Sequence, residues 1–222
     1  MTQTIGFTEL KKMLLAAVET IRTNKDELCK LDGVCGDGDH GVAVTRAMEA
    51  IEAAIHDYQG ENIADFVKAA GWGVMSIDGG STGPLFGSFF MGMKDGAPAD
   101  NVINGAAMAA MFAAGLKKVQ KRTQAQPGDK TLIDTLVPAI EAANAAAAAG
   151  DDVDVVVKKA ADAAWAGSEN TATMQAKFGR AKNLGEKSIG SIDPGSRSMA
   201  LIFKAFAENI EKERRETGGF LK

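Results

Sequence analysis

Leu10-Lys11-Lys12-Met13-Leu14-Leu15-Ala16-Ala17-Val18-Glu19-Thr20-Ile21 decides the fold class, because Leu10, Leu14, Val18 and Ile21 return every three or four residues. That spacing lays an apolar stripe along one face of an α-helix. Val44, Met48, Ile51 and Ile55 repeat it, as do Met199, Ile202, Phe203, Phe206 and Ile210. Five further helices are expected, over roughly 62–76, 84–94, 100–122, 131–149 and 152–177, the last broken near Gly167, which makes about eight. Val153 to Val157 is β-branched but runs into Lys158 to Ala166 without a turn signal, so helix is expected there too. The run Ala145 to Ala149 ends at Gly150-Asp151-Asp152, a helix stop followed by a start, and predicts a close helix–helix contact. The expected fold is all-α.

The 222 residues are 45% hydrophobic and 24% charged, the composition of a globular chain able to bury a core without staples. No Pro-, Gly- and Ser-rich linker divides them, so residues 1–222 read as one domain. The formal charge of −4, with no five-residue run of Lys and Arg, argues against a nucleic-acid partner. There is no basic-then-apolar start and no apolar stretch of about 18 residues, so a soluble cytoplasmic protein with no membrane partner is expected. Cys29 and Cys35 form neither a disulfide framework nor a zinc pattern and read as reduced packing residues. Trp72 and Trp165, flanked by small residues on helical stretches, read as core or groove packing, and His56 as a surface residue.

Glycine falls into clusters that precede helices. The first, Leu31-Asp32-Gly33-Val34-Cys35-Gly36-Asp37-Gly38-Asp39-His40-Gly41, carries three carboxylates. Gly36, Gly38 and Gly41 spell G-x-G-x-x-G, but a dinucleotide fingerprint needs a preceding strand, and here Asp37 and Asp39 would repel a pyrophosphate. A divalent cation removes that repulsion, and Mg²⁺ is the ion that combines one or two carboxylates with substrate phosphates. An EF-hand fails because the twelfth position from Asp37 is Met48 rather than Glu. The second cluster, Asp78-Gly79-Gly80-Ser81-Thr82-Gly83-Pro84, reads equally as a phosphate cradle or as a plain helix-start turn, with Pro84 at the first helical position.

Pro127-Gly128-Asp129-Lys130-Thr131 precedes a helix with Thr131 and Asp134 spaced as a capping box, and Asp193-Pro194-Gly195-Ser196 precedes the final helix. Each alone is more often structural, and Gly190 to Arg197 lacks the lysine of a P-loop. If the helices alternate around a bundle, however, the four loops collect at one end, where helix N-termini make a positive rim. Nucleotide with Mg²⁺ fits both halves of such a site. Arg180 is either a further phosphate partner or a surface ion pair.

Taken in order, Asp32 through Gly41, Gly79 through Gly87, Pro127 through Thr131, Thr173-Met174-Gln175-Ala176 with Gly179-Arg180-Ala181, and Asp193-Pro194-Gly195 resemble the nucleotide-binding L subunits of dihydroxyacetone kinases. The resemblance spans nearly the whole chain. It implies an eight-helix antiparallel barrel with ADP or ATP at one end and two Mg²⁺ ions on Asp32, Asp37 and Asp39. It implies nucleotide contacts at His40, Gly41, Gly80, Ser81, Thr82, Gly83, Leu132, Arg180, Asp193, Pro194 and Gly195. The chain departs from the family pattern at Val42-Ala43, Thr123 and Ser191-Ile192.

By the same resemblance the reaction is phosphoryl transfer to a short ketose held by a histidine of a separate K subunit. No histidine remains here for that purpose once His40 is in the nucleotide loop, so the chain reads as half an enzyme. The phosphoryl donor is either free ATP or a phosphotransferase-system protein, and a homodimer stays open. Alternatives are a kinase subunit for a four-carbon ketose or fatty acid, a module holding ADP for regulation, and a helical scaffold binding a structural cation.

Overall fold

The stripe that begins at Leu10 is buried along α1 (Phe7–Thr23). In the computed structural model, residues 3–77 and 80–218 are described. They form α2 (Lys25–Cys35), α3 (His40–Asp57), α4 (Ile63–Met75), α5 (Thr82–Met93), α6 (Gly105–Gln120), α7 (Ile133–Ala148), α8 (Val153–Asn170) and α9 (Pro194–Gly218). Short 3₁₀ segments cover Lys94–Gly96, Thr171–Thr173 and Arg180–Ser188. No strand occurs among the described residues, only an isolated pairing of Ile5 with Ile103. The fold is all-α.

Eight helices close a ring: α1 packs on α3, α3 on α4, and so on through α9, which packs back on α1. Neighbours run antiparallel. Arg214, late in α9, pairs with Asp154 at the start of α8, whereas Arg197, early in α9, pairs with Glu169 near the end of α8. Lys12 of α1 likewise pairs with Glu213 of α9. Alternation therefore puts the starts of α3, α5, α7 and α9 at one end of the barrel. The interior is filled by aromatic side chains from several walls, with Phe112 and Phe203 at 5.0 Å between ring centroids and Phe89 and Phe206 beside them. These are edge and offset geometries that add to the burial itself.

Several expectations are corrected. The described residues contain nine α-helices, and the extra one, α2, takes in Leu31 to Cys35, which read as glycine loop. It contributes one fully buried side chain, Leu28, and so carries no apolar stripe to read. It lies across the site end against α3 and α9. The helix α8 is unbroken at Gly167, where a Cβ would stand 2.3 Å from the Asp134 carbonyl oxygen, so the glycine serves close α7–α8 packing. The start of α5 is Thr82, two residues earlier than expected, and Pro84 is third, still within the turn whose N–H groups lack helical partners. In the alanine run only Ala146 is buried. Trp72 is not core: it is 64% exposed on α4. Trp165 is groove packing, stacked by the Arg197 guanidinium 4.1 Å from its ring centroid.

Candidate functional site

Asp32 comes from the last turn of α2, and Asp37 and Asp39 from the turn that joins α2 to α3. One ligand atom of each lies within 4.8 Å of the others, Asp32 half-buried and the other two exposed. The backbone builds this turn around Asp32. The Gly36 N–H returns to the Asp32 carbonyl at 2.6 Å, and the N–H groups of Asp39 and His40 donate to Asp32 Oδ2 at 3.0 and 3.3 Å. A Cβ at Gly36 would stand 2.4 Å from Asp32 Oδ1, so only glycine leaves that carboxylate in place. Gly41 is buried under α2, where a Cβ would meet the Lys25 carbonyl oxygen at 2.1 Å and Cys29 Sγ at 2.7 Å. Its missing side chain is a packing requirement in its own right. Both cysteines are free, Cys35 Sγ lying 3.4 Å from Ser191 Oγ.

The acidic turn is tied to the start of α9. His40 Nε2 is 2.7 Å from Ser198 Oγ, and the Ser198 hydroxyl donates to the Pro194 carbonyl at 2.8 Å. Because that hydroxyl proton is engaged, Nε2 is the protonated nitrogen and Nδ1 remains an acceptor. Burial pushes the imidazole down to about 4, outweighing the opposing pull of Asp32. His40 is therefore neutral near pH 7.

Pro194 opens α9 as its first residue, and Asp193 accepts the Ser196 N–H at 2.7 Å in the manner of an N-cap. Burial pushes the Asp193 carboxyl up to about 7 although the residue keeps some exposed surface, and the Ser196 N–H and Lys130 act against the rise. Leu132 lies beside this turn: a Cβ at Gly195 would be 4.0 Å from Leu132 Cβ. Leu132, Asp193, Pro194 and Gly195 are thus brought together, and through His40 they join the three carboxylates.

Arg180, in its 3₁₀ segment, forms an ion pair with Asp37, and both side chains stay largely exposed. Gly80, Ser81, Thr82 and Gly83 stand at the start of α5, at the same end of the barrel, with no hydrogen bond to the acidic turn among the described residues. Gly83 is buried against the end of α4, and the Ser81 side chain makes no capping bond. Asp78 and Gly79 lie outside the described residues. Sequence reasoning missed Ser198 and Thr171, which no motif marks, and quoted Lys130 without giving it work. His56 is exposed near the end of α3, remote from the site.

Three carboxylates form an all-oxygen donor set suited to a hard divalent cation, and Mg²⁺ needs only one or two of them besides phosphate oxygens. The four helix starts favour an anion at the same place. No helix among the described residues is long and apolar enough to cross a membrane.

Comparison with known proteins agrees with this chemistry. Residues 34–208 match the model of the DAK2 domain. The chain is 33% identical over 190 residues to the ADP-binding subunit of PEP-dependent dihydroxyacetone kinase 1 of Listeria innocua, covering 86% of this chain and 90% of that one. It is 36% identical over 192 residues to the ADP-binding subunit of the PTS-dependent dihydroxyacetone kinase of Lactococcus lactis, covering 86% and 92%. Among solved structures it resembles the dihydroxyacetone kinase of C. freundii in complex with AMP-PNP and Mg²⁺, with a TM-score of 0.68 and 28% identity. That likeness covers 94% of this chain and 35% of the larger one.

Proposed function

The chain belongs to the DAK2 domain family, and from that premise we propose that it is the nucleotide-binding subunit of a dihydroxyacetone-type kinase, a phosphotransferase completed by a partner. One observation carries the reading: three carboxylates share a barrel end with four helix N-termini.

In this reading Asp32, Asp37 and Asp39 hold two Mg²⁺ ions. The backbone at His40 and Gly41 and at Gly80, Ser81, Thr82 and Gly83 faces the phosphates, with Arg180 exchanging Asp37 for a phosphate oxygen. Leu132 and the Asp193-Pro194-Gly195 turn receive base and ribose. Bound Mg-ATP would supply the terminal phosphoryl group, leaving ADP in place to be rephosphorylated by its donor, and Mg²⁺ would neutralise the charge that develops on it. The residues of the chain position it, which is most of what phosphoryl transfer asks of a protein. His40, neutral and bonded to Ser198, fixes the acidic turn against α9.

The acceptor, a short ketose, must then be presented by another chain. His40 is committed and His56 lies away from the site, so a dihydroxyacetone-binding K subunit is the partner. The relatives that this chain matches over most of their length are separate ADP-binding subunits named for PEP or PTS dependence. We therefore assign ADP as the resident nucleotide, with a phosphotransferase-system protein as donor. Native mass spectrometry of the freshly purified chain tests this: a retained ADP with Mg²⁺ is expected. A chain that takes up neither ADP nor ATP at millimolar concentration with Mg²⁺ would refute it.

A further inference from the structure

Lys130 is the one residue of its loop that is both fully enclosed and conformationally strained. It is 3% exposed and holds φ +59°, a left-handed backbone that a side chain with a Cβ disfavours. The surrounding turn enforces it. Asp134 accepts the N–H groups of Gly128 and Thr131, Asp129 accepts the Gln126 N–H, and Asp129 pairs with Lys177 at 2.8 Å. From that position Lys130 Nζ donates to the carbonyls of Thr171, at 2.7 Å, and Ser191, two segments otherwise distant in sequence. The same segments are stitched together at Asp193, whose N–H donates to Thr171 Oγ1 at 3.0 Å, and at Gly190, whose N–H donates to the Ala172 carbonyl at 2.7 Å.

A buried ammonium is costly unless its donors are satisfied. Here the cost is met by two loop carbonyls, that of Ser191 and that of Thr171, which also accepts the Met174 N–H at 3.1 Å. Leu132 follows Lys130 by two residues and lies beside the turn that Asp193 begins, a Cβ on Gly195 standing 4.0 Å from Leu132 Cβ, so the segment that Lys130 anchors and the segment it binds face each other there.

We propose that Lys130 is a positioning residue for the nucleotide: it fixes the Asp193-Pro194-Gly195 turn opposite Leu132 while its own hydrogen bonds go to Thr171 and Ser191 and none to the three carboxylates. The proposal rests on the functional reading above. Its signature is a loss of nucleotide affinity with unchanged metal dependence. In Lys130→Met, calorimetry should show Mg-ADP binding weakened ten-fold or more, while the Mg²⁺ concentration for half-maximal binding at saturating ADP stays within two-fold. Val157→Ala, a core variant on α8 toward the opposite end of the barrel, should lose thermal stability yet keep wild-type affinity, separating positioning from general destabilisation.

Thr171→Val, which removes the hydroxyl that accepts the Asp193 N–H and donates to the Ser168 carbonyl at 2.6 Å, should weaken binding about three-fold, and it decides the matter if Lys130→Met does not fold. A folded Lys130→Met with affinity within three-fold of wild type overturns the proposal, as does unchanged affinity in Thr171→Val. A wild-type chain that fails to bind Mg-ADP sinks the functional reading and this inference together, whereas wild-type affinity retained in the variants sinks the inference alone.

Discussion

Replacing Asp37 by Asn should leave the ligand-free protein as stable as before, or more so, and remove most of the stabilisation by Mg-ADP. Asp37 takes part in two of the three carboxylate pairs, whose ligand atoms lie within 4.8 Å. Two like charges at that distance repel by about 1 kcal/mol in a water-like dielectric, so the isosteric amide relieves roughly 2 kcal/mol. Against this stands the exposed ion pair with Arg180, worth about 0–1 kcal/mol. The ligand-free balance therefore favours the variant by about 1–2 kcal/mol, and by less once salt screens the exposed charges. Saturation at a hundred times Kd stabilises a folded protein by about 2.7 kcal/mol, which for a chain of this size raises Tm by roughly 5–10 °C. If the substitution weakens Mg-ADP binding a hundred-fold, the same concentration returns about 0.4 kcal/mol, near 1 °C. Thermal unfolding with EDTA, with Mg²⁺, with ADP and with both measures each quantity. An undiminished Mg-ADP shift in Asp37→Asn would refute the reasoning, and so would a large fall in ligand-free Tm, because the cluster would then stabilise the fold without a cation.

Gly41→Ala should cost about 1–3 kcal/mol by overpacking, since its Cβ would stand 2.1 Å from the Lys25 carbonyl oxygen, and an unchanged urea midpoint would show that α2 yields freely. The same variant should bind Mg-ADP more weakly, because α2 carries Asp32. Asp193 supplies a pH test. Its carboxyl is raised from 3.8 to about 7, so between about pH 4 and pH 7 the folded state keeps a proton that the unfolded chain has released, and this contribution to stability falls as pH rises. Asp193→Asn should therefore gain stability relative to wild type across that window, as read by Tm from pH 4.5 to 7.5, and a difference independent of pH would count against the burial. His40, lowered to about 4, contributes the opposite slope in both proteins and cancels in the comparison.

The barrel wall was legible because its helices each bury a wide apolar stripe, and a period near 3.6 is visible in one dimension. Glycine clusters before α3, α5, α7 and α9 were legible for a related reason: chain that turns sharply into a helix start needs small residues. The helix α2 was not legible, since with Leu28 alone fully buried it leaves no periodic trace. Trp72 misled for a different reason. Small neighbours on a helix suggest close packing, and Gly71 does pack, with a Cβ that would meet the Met91 backbone N at 2.3 Å, but Trp72 points the other way.

By itself the chain of residues determined that this protein is helical and that its carboxylates are concentrated in one short segment, because local spacing and local charge are properties of neighbours along the backbone. Only closure of the ring decided that these carboxylates meet the start of α9 and that Lys130 is buried between loops about forty and sixty residues away. Such contacts arise from the packing of whole helices against one another, and no window along the sequence contains both partners.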